Sequence, residues 1–325
     1  MTPLAFEARY QEEWQELESL LDRILGRKKS VAKETVSGER VAALYRRACE
    51  HLALARARAY PAYLLDRLER LTGDAHQVIY QKRELGTSAV ARFFTEDFPA
   101  AVRAHARYVW LATALLGLPA VIVGVLVYLR PELVLSVVDA QTAASFEQMY
   151  SNASEAVGRT RDAGGDWVMF GYYIRNNIGI AFQCFAGGLF AGLGSIFFLL
   201  YNGAVFGAVA GYLTEHDLGP TFYSFVVTHG AFELTAIVLS GAAGLRLGHA
   251  LLAPGRRTRL QSLVLAAREA VVLVYGFTAM LFVAAAVEAF WSSARWLPPT
   301  LKYGIAAVCW VAVLAYLSRQ GRRAN

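Results

Sequence analysis

The apolar residues of this chain are concentrated in its last two thirds, in long runs that contain almost no charge. The clearest runs are YVWLATALLGLPAVIVGVLVYL (108–129), AVVLVYGFTAMLFVAAAVEAF (270–290) and YGIAAVCWVAVLAYLS (303–318). A helix that crosses a membrane needs about 20 mostly apolar residues, and each run meets or approaches that length. The pattern predicts an all-α, polytopic membrane protein with five or six transmembrane helices, including glycine-rich broken or re-entrant segments.

Residues 1–107 show a different pattern, in which apolar residues recur at helical spacing among many charged residues. The three stripes are Leu17, Leu20, Leu21 and Ile24, then Val41, Leu44, Tyr45, Ala48 and Leu52, then Leu64, Leu65, Leu68 and Leu71. Ser37 is a suitable N-cap, and Gly26 and Gly73 are suitable helix ends. The pattern predicts three or four amphipathic helices that form a cytoplasmic bundle, with the stripes as its core.

The charges predict which side of the membrane each loop occupies. Arginines cluster before the first apolar run, in the middle of the chain and at its end: Arg103, Arg107, Arg256, Arg257, Arg259, Arg319, Arg322 and Arg323. Basic loops stay in the cytoplasm, so we place these clusters there. The 130–175 segment has six acidic residues against four arginines, and we place it outside, together with the acidic turn at 214–219.

These assignments require an even number of crossings, with both termini in the cytoplasm. The transmembrane domain covers 108–319 and the cytoplasmic tail 320–325. The chain has to cross twice between 178 and 213, with a reversal near Gly192–Ser195 or Tyr201–Gly203. The predicted spans are about 108–129, 178–196, 197–213, 229–252, 270–290 and 303–318. The alternative has five spans, with 200–228 as a re-entrant segment.

Glycines are concentrated in the middle of the transmembrane domain, where fourteen of the 27 lie between 171 and 248. Many recur every four residues, which places them on one helix face and lets two backbones approach closely. These helix-packing glycines are Gly188, Gly192, Gly203, Gly207, Gly211, Gly241, Gly244 and Gly248. We favour tight helix packing; the alternative is that broken helices expose backbone to a cavity.

One transmembrane helix, THGAFELTAIVLSGAAGLRLGHALL (228–252), begins with a histidine and a carboxylate. His229 and Glu233 share one helix face, and a carboxylate inside a membrane marks a functional site by default. It either forms structural hydrogen bonds to a broken helix or serves as a proton, ion or substrate site. The candidate polar partners are Asn176, Asn177 and Asn202, whereas Glu288 is expected at the membrane interface.

The sequence contains few signatures of an enzyme. His229 and Glu233 fall short of the HExxH pattern of a helical zinc site, and neither a nucleophile elbow nor a Walker A loop occurs. The cysteines Cys49, Cys184 and Cys309 show no CxxC spacing. We therefore predict no catalytic residue, metal or cofactor. The net charge of +6 is explained by cytoplasmic loops rather than by nucleic-acid binding.

Two transmembrane segments, NNIGIAFQCFAGGLFAGLGSIFFLLYNGAVFGA (176–208) and HGAFELTAIVLSGAAGLRLG (229–248), resemble the stage II sporulation protein M family. The segments LYRRACEHLALARARAYPAYL (44–64), AHQVIY (75–80) and FFTEDFPAAVR (93–103) resemble its longer, non-sporulation branch. The resemblance implies a bacterial cytoplasmic-membrane protein without catalytic activity. In spore formers the resemblance implies a family member that anchors peptidoglycan-remodelling enzymes. Of these properties we expect this chain to share the recruitment of partners rather than the role in sporulation.

The resulting hypothesis is a non-enzymatic scaffold that recruits cell-envelope proteins in the bacterial inner membrane. The cytoplasmic bundle and the 130–175 segment would each offer a partner surface, and membrane lipid would surround the spans. The sequence is also compatible with a homo-oligomer. The alternative is a transporter or channel for an ion or small solute, centred on His229 and Glu233. A pocket that reaches Glu233 would favour transport, and a sealed, glycine-packed interior would favour a scaffold.

Overall fold

The computed structural model describes residues 1–24, 38–80, 87–151, 163–294 and 296–322. It divides into two compact units, Met1–Ala89 and Val90–Asn325. Both are helical, and the described ranges contain no strand, which confirms the all-α fold class. Gly26, Ser37 and Arg323 lie outside the described residues. So do two of the six acidic residues (Glu155, Asp162) and two of the four arginines (Arg159, Arg161) that were counted in the 130–175 segment.

The first unit, which we call the soluble unit, consists of three helices around one core: α1 (Pro3–Ile24), α2 (Gly38–Ala57) and α3 (Ala62–Tyr80). Most of the predicted stripe residues are buried there, namely Leu17, Leu21, Val41, Leu44, Ala48, Leu52, Leu64, Leu68 and Leu71. Ile24 is 44% exposed. Gly73 does not end a helix, because the buried side chains of Leu71 and Ala75 continue the same helical face past it.

An aromatic group at the centre of this core was not predicted. Trp14 is buried, and its indole Nε1 donates a hydrogen bond to Nδ1 of His51 over 3.1 Å. Phe6 packs against both rings. Burial lowers the pKa of His51, which keeps its imidazole neutral and able to accept this bond.

The second unit, which we call the membrane unit, begins before the predicted boundary between residues 107 and 108. Its first elements are α4 (Thr87–Arg92, shared with the end of the soluble unit), a π-helical turn (Phe93–Asp97) and α5 (Phe98–Ala104). Phe98 is buried against Gly276, and the Arg103 guanidinium donates to the carbonyls of Leu317 (3.1 Å) and Gln320 (2.6 Å). These contacts attach residues 90–107 to the membrane unit.

Seven longer helices follow: α6 (Ala106–Leu129), α7 (Ala140–Tyr150), α8 (Ala163–Ala186), α9 (Leu193–Glu215), α10 (Gly219–Leu252), α11 (Arg259–Ala286) and α12 (Pro299–Arg319). A 3₁₀ helix (Pro131–Ser136) precedes α7, another (Gly187–Leu189) follows α8, and a π-helical turn (Val287–Ser292) extends α11. Five of these helices are long and apolar enough to cross a membrane: α6, α9, α10, α11 with its π turn, and α12. The protein is therefore a polytopic membrane protein, as predicted.

Helix α8 packs beside these five helices. When α8 is included, each helix runs in the direction opposite to the one before it in the chain. The backbone of α9 follows that of α6 in parallel, because Gly203 faces Leu116 and Gly211 faces Gly124. Helix α10 runs opposite to α9, since Leu199 faces Gly241 and Gly192 faces Gly248. Six helices thus alternate in direction, and α6 begins at the same end of the bundle where α12 ends.

Of the two predicted reversals in the middle of the domain, the structure favours the first, Gly192–Ser195, which meets the observed break at Gly192. The chain reverses at Gly187–Gly192, ahead of the predicted boundary between residues 196 and 197, and Gly192 takes a positive φ of 85° that a glycine adopts without strain. Helix α9 then continues without a break through Tyr201–Gly203. Residues 200–228 form the end of α9 and the start of α10, and both helices are long and apolar enough to cross a membrane.

Two helices begin earlier than their apolar runs suggested. Helix α10 starts at Gly219 rather than 229, with Pro220 in its first turn, where the missing N–H of proline is tolerated. Helix α11 starts at Arg259 rather than 270, after a capping box in which Thr258 and Gln261 exchange hydrogen bonds. Both additional segments are more polar than the spans that follow, so hydropathy alone missed them.

Candidate functional site

A cluster of polar side chains lies inside the helix bundle, between α10, α8 and the π turn after α11. His229 and Glu233 lie one turn apart on α10, and Glu288 lies in the π turn. One nitrogen or oxygen atom from each of the three lies within 4.8 Å of the others. His229 is 4% exposed and Glu288 is 9% exposed. The Glu233 side chain is half-buried, with 19% of it exposed. We call these three residues the buried triad.

The orientation of the His229 ring is set by a hydrogen bond. Its Nδ1 lies 2.9 Å from the hydroxyl oxygen of Ser292, which is itself buried. Its Nε2 faces Glu233, and 3.9 Å separate this nitrogen from the nearest carboxylate oxygen. That distance is too long for a hydrogen bond. The ring is therefore held on one side and open toward the carboxylate on the other.

The structure brings Asn177 to the triad, whereas the Asn176 side chain is exposed and hydrogen-bonds only to Asn177 among the described residues, and Asn202 lies elsewhere. The Asn177 amide lies beside both carboxylates and is 3% exposed. It accepts a hydrogen bond from Asn176 over 3.0 Å, and its own nitrogen has no hydrogen-bond partner among the described residues. The amide of Asn202 donates instead to the Phe198 carbonyl of its own helix over 2.7 Å.

Glu288 was expected at the membrane interface, and the structure corrects this expectation. Its side chain is buried, and one carboxylate oxygen has no hydrogen-bond partner among the described residues. The reason is the π turn at Val287–Ser292, because an extra residue in a helical turn changes which side chains face inward. Hydropathy carries no signal for such a turn.

Lys302 at the start of α12 is a further buried polar residue that the sequence analysis did not single out. Its ammonium group donates to the Ser292 carbonyl over 2.8 Å, and the side chain is 5% exposed. Thr228 donates to the Lys302 carbonyl over 3.4 Å. The indole of Trp310 donates to the Val227 carbonyl over 3.1 Å. These bonds tie α12 to α10 beside the triad.

The predicted packing glycines all lie where another segment approaches closely. A methyl group at Gly203, Gly207 or Gly211 would overlap the backbone of α6. A methyl group at Gly241 would overlap the side chain of Leu199. The remaining contacts join the break at 187–192 to α10: Gly188 faces Gly244, and Gly192 faces Gly248.

These contacts pack other segments tightly against the part of α10 that follows the triad. The Ser195 hydroxyl donates to the Cys184 carbonyl over 2.6 Å, directly against Gly244. An apolar groove of about 380 Å³ lies on the outside of the bundle, lined by Trp110, Leu234 and Trp310 among others, and none of the triad residues lines it. The arrangement fits a bundle held together by backbone contact.

Long apolar helices of alternating direction around a buried polar cluster define a polytopic α-helical membrane protein. A family model described as stage II sporulation protein M matches residues 103–293. The chain belongs to this family, which confirms the resemblance seen in the sequence. A second family model, described as a domain of unknown function (DUF8413), matches residues 4–81 and corresponds to the soluble unit. Neither the curated proteins nor the solved structures contain a significant match to the chain.

Proposed function

We propose that this protein is a non-enzymatic scaffold of the bacterial cytoplasmic membrane that recruits proteins of the cell envelope. The proposal rests on the difference in structure between the two units. The soluble unit has its own core, and the membrane unit is a bundle whose helices are in backbone contact. A bundle packed in this way suits a rigid anchor better than a moving carrier, because close packing resists rearrangement.

The surface of the soluble unit supports a role in an aqueous compartment. Salt bridges join its helices on the outside, between Arg40 and Glu16 and between Arg56 and Glu69. Exposed ion pairs of this kind stabilise little, but they keep the surface charged and soluble. The unit therefore offers a polar docking surface for a partner.

The segment between α6 and α8 supports a second docking surface at the opposite end of the bundle from α5. Asp139 caps α7 by accepting hydrogen bonds from the Thr142 hydroxyl over 2.7 Å and from the Thr142 backbone N–H over 2.9 Å, and these bonds lower the pKa of its carboxyl group. Val134 and Ala143 are buried against Val127 of α6. The described part of this segment is thus fixed to the bundle as a shaped surface.

The family adds weight to a recruiting role. The resemblance implies a membrane anchor for cell-wall enzymes in spore formers, and the soluble unit is an addition to that plan. We infer that the soluble unit selects the partners of this chain in the cytoplasm. The match over residues 4–81 to a separate family model agrees with an independent module attached to the common membrane unit.

The proposal is tested by deleting residues 1–89 while keeping the membrane unit. Both forms, tagged at the C-terminus, are expressed in the source bacterium and crosslinked in living cells, and the captured proteins are quantified by mass spectrometry. We expect the full chain to capture a defined set of envelope proteins at least about ten-fold more strongly than the deleted form. A difference of that size corresponds to about 1.4 kcal/mol of binding free energy.

The matched control is the amount of deleted protein in the membrane, which should equal that of the full chain.

Transport is the second candidate function, because the buried triad lies within helices that span the membrane. If both forms capture the same envelope proteins, the soluble unit does not select the partners. If neither form captures envelope proteins above an untagged control, the scaffold proposal is contradicted and transport is favoured.

A further inference from the structure

We propose that the buried triad, His229, Glu233 and Glu288, binds one divalent transition-metal ion of the Zn²⁺ type. The ion would join α10 to the π turn after α11 and stabilise the outer half of the bundle. This site is independent of the recruiting role, since a scaffold and a transporter could both contain it.

The spacing of the donor atoms fits a metal better than direct contact among the side chains. Ligand atoms bound at about 2.0–2.2 Å in a tetrahedral zinc site lie about 3.4 Å from one another. The three candidate donors lie within 4.8 Å of each other, and 3.9 Å separate His229 Nε2 from Glu233. Small side-chain rotations would bring them to ligand distance, whereas the present separation exceeds a hydrogen bond.

The surroundings of His229 are those of a metal-binding histidine. Such a histidine donates its other ring N–H to a neighbouring acceptor, which fixes the ring and leaves the second nitrogen free to bind the metal. Ser292 Oγ lies 2.9 Å from Nδ1, and this oxygen can accept that hydrogen. With the hydrogen on Nδ1, the lone pair of Nε2 points toward the carboxylates.

An unsatisfied polar atom gives an independent reason to expect a cation. One oxygen of Glu288 is buried and lacks a hydrogen-bond partner among the described residues. A buried group without a partner is costly. A cation would satisfy the Glu288 oxygen, and the Asn177 amide would then orient the carboxylates from the second coordination sphere.

The charge of the triad also selects a divalent ion. When both carboxylates are ionised, the triad carries two negative charges, and a divalent cation neutralises them inside the membrane, where an uncompensated charge is expensive. One imidazole and two carboxylates are ligands that suit Zn²⁺ and related ions. Without a metal ion, the negative charge of the triad would be neutralised by a shared proton together with Lys302, which lies beside Ser292.

The test measures metal in the full-length protein, purified in detergent through a tag that contains no histidine. The protein is loaded with Zn²⁺, passed through a desalting column and analysed by mass spectrometry for metals. We expect one zinc ion per chain in the wild type and at least a ten-fold loss in Glu288→Gln, which keeps the shape of the side chain. Glu132→Gln, which removes an exposed carboxylate of the membrane unit, is the matched control and should keep the ion.

A second variant separates a metal site from a general loss of folding. Ser292→Ala keeps the three ligands, and removal of such a second-sphere group weakens metal binding by about 10–100-fold.

Zn²⁺ should raise the melting temperature of the wild type and of Glu132→Gln, but not that of Glu288→Gln. Equal zinc in Glu288→Gln and wild type would show an adventitious ion only. Absence of zinc from a folded wild type would show that a proton and Lys302 neutralise the triad; either result overturns the proposal.

Discussion

Gly244→Leu is expected to prevent stable assembly of the membrane unit. Gly244 lies against the Ser195 hydroxyl and the carbonyls of Cys184 and Phe185, and its own carbonyl faces Gly188. A leucine would have to displace the Ser195 hydroxyl and also the backbone carbonyls of Cys184 and Phe185 in α8, which cannot rotate aside as a flexible side chain does. Insertion of larger groups into a packed core costs about 1–3 kcal/mol and more when backbone must shift, so we expect at least about 3 kcal/mol.

The measurement is the amount of monodisperse protein and its melting temperature in detergent. Gly179→Leu on α8 is the matched control, because a methyl group at that glycine would meet no atom within 4 Å. The control should be recovered at wild-type yield. Similar yields and melting temperatures for the two variants would contradict the claim that backbone contact at Gly244 holds the bundle.

Trp14→Ala is expected to unfold the soluble unit and leave the membrane unit folded. Trp14 is 1% exposed, contacts Phe6 and donates its indole hydrogen to His51. Removal of a buried tryptophan costs about 3–5 kcal/mol, and the buried His51 nitrogen would also lose its donor. That loss is a large part of the stability of about 5–15 kcal/mol that small domains possess.

Hydrogen exchange of the full-length protein, read by mass spectrometry, measures this effect separately in each unit. Amides of α1, α2 and α3 should exchange at least about a hundred-fold faster in Trp14→Ala, as expected for a loss of about 3 kcal/mol, while those of α9 and α10 stay protected. Tyr63→Ala, an exposed aromatic residue of α3, should change little. Protected soluble-unit amides in Trp14→Ala would contradict the assigned core.

The helix content and the packing glycines could be predicted because each leaves a periodic signal. Apolar runs mark α6 and α12, and leucine stripes mark the core of the soluble unit. The four-residue spacing of Gly203, Gly207 and Gly211 indicated close approach, although the partner helix α6 was not part of the prediction. The reversal at Gly187–Gly192 meets the first of the two predicted positions, Gly192–Ser195, only at Gly192, because several glycine positions in that region are equally compatible with a turn.

The buried cluster was predicted only in part, for a physical reason. His229, Glu233 and Asn177 stand out as polar residues in or beside apolar runs, so the sequence identifies them. Glu288 reaches the cluster through a π turn, and Lys302 reaches it through helix packing. Neither event has a local sequence signal, and the third member of the triad therefore required the structure.

We propose that six helices of alternating direction cross the membrane and leave the segment after α6 on the side opposite to both termini. This topology is tested most directly by labelling single cysteines in intact cells, after replacement of Cys49, Cys184 and Cys309. An impermeant thiol reagent should label Glu132→Cys in intact cells, because that residue follows α6 at the end predicted to be outside.

The same reagent should label Ala53→Cys in the soluble unit and Arg256→Cys between α10 and α11 only after the cells are opened. All three residues are exposed, so accessibility of the side chain does not limit the reaction. Labelling of Ala53→Cys or Arg256→Cys in intact cells, or protection of Glu132→Cys, would contradict the account.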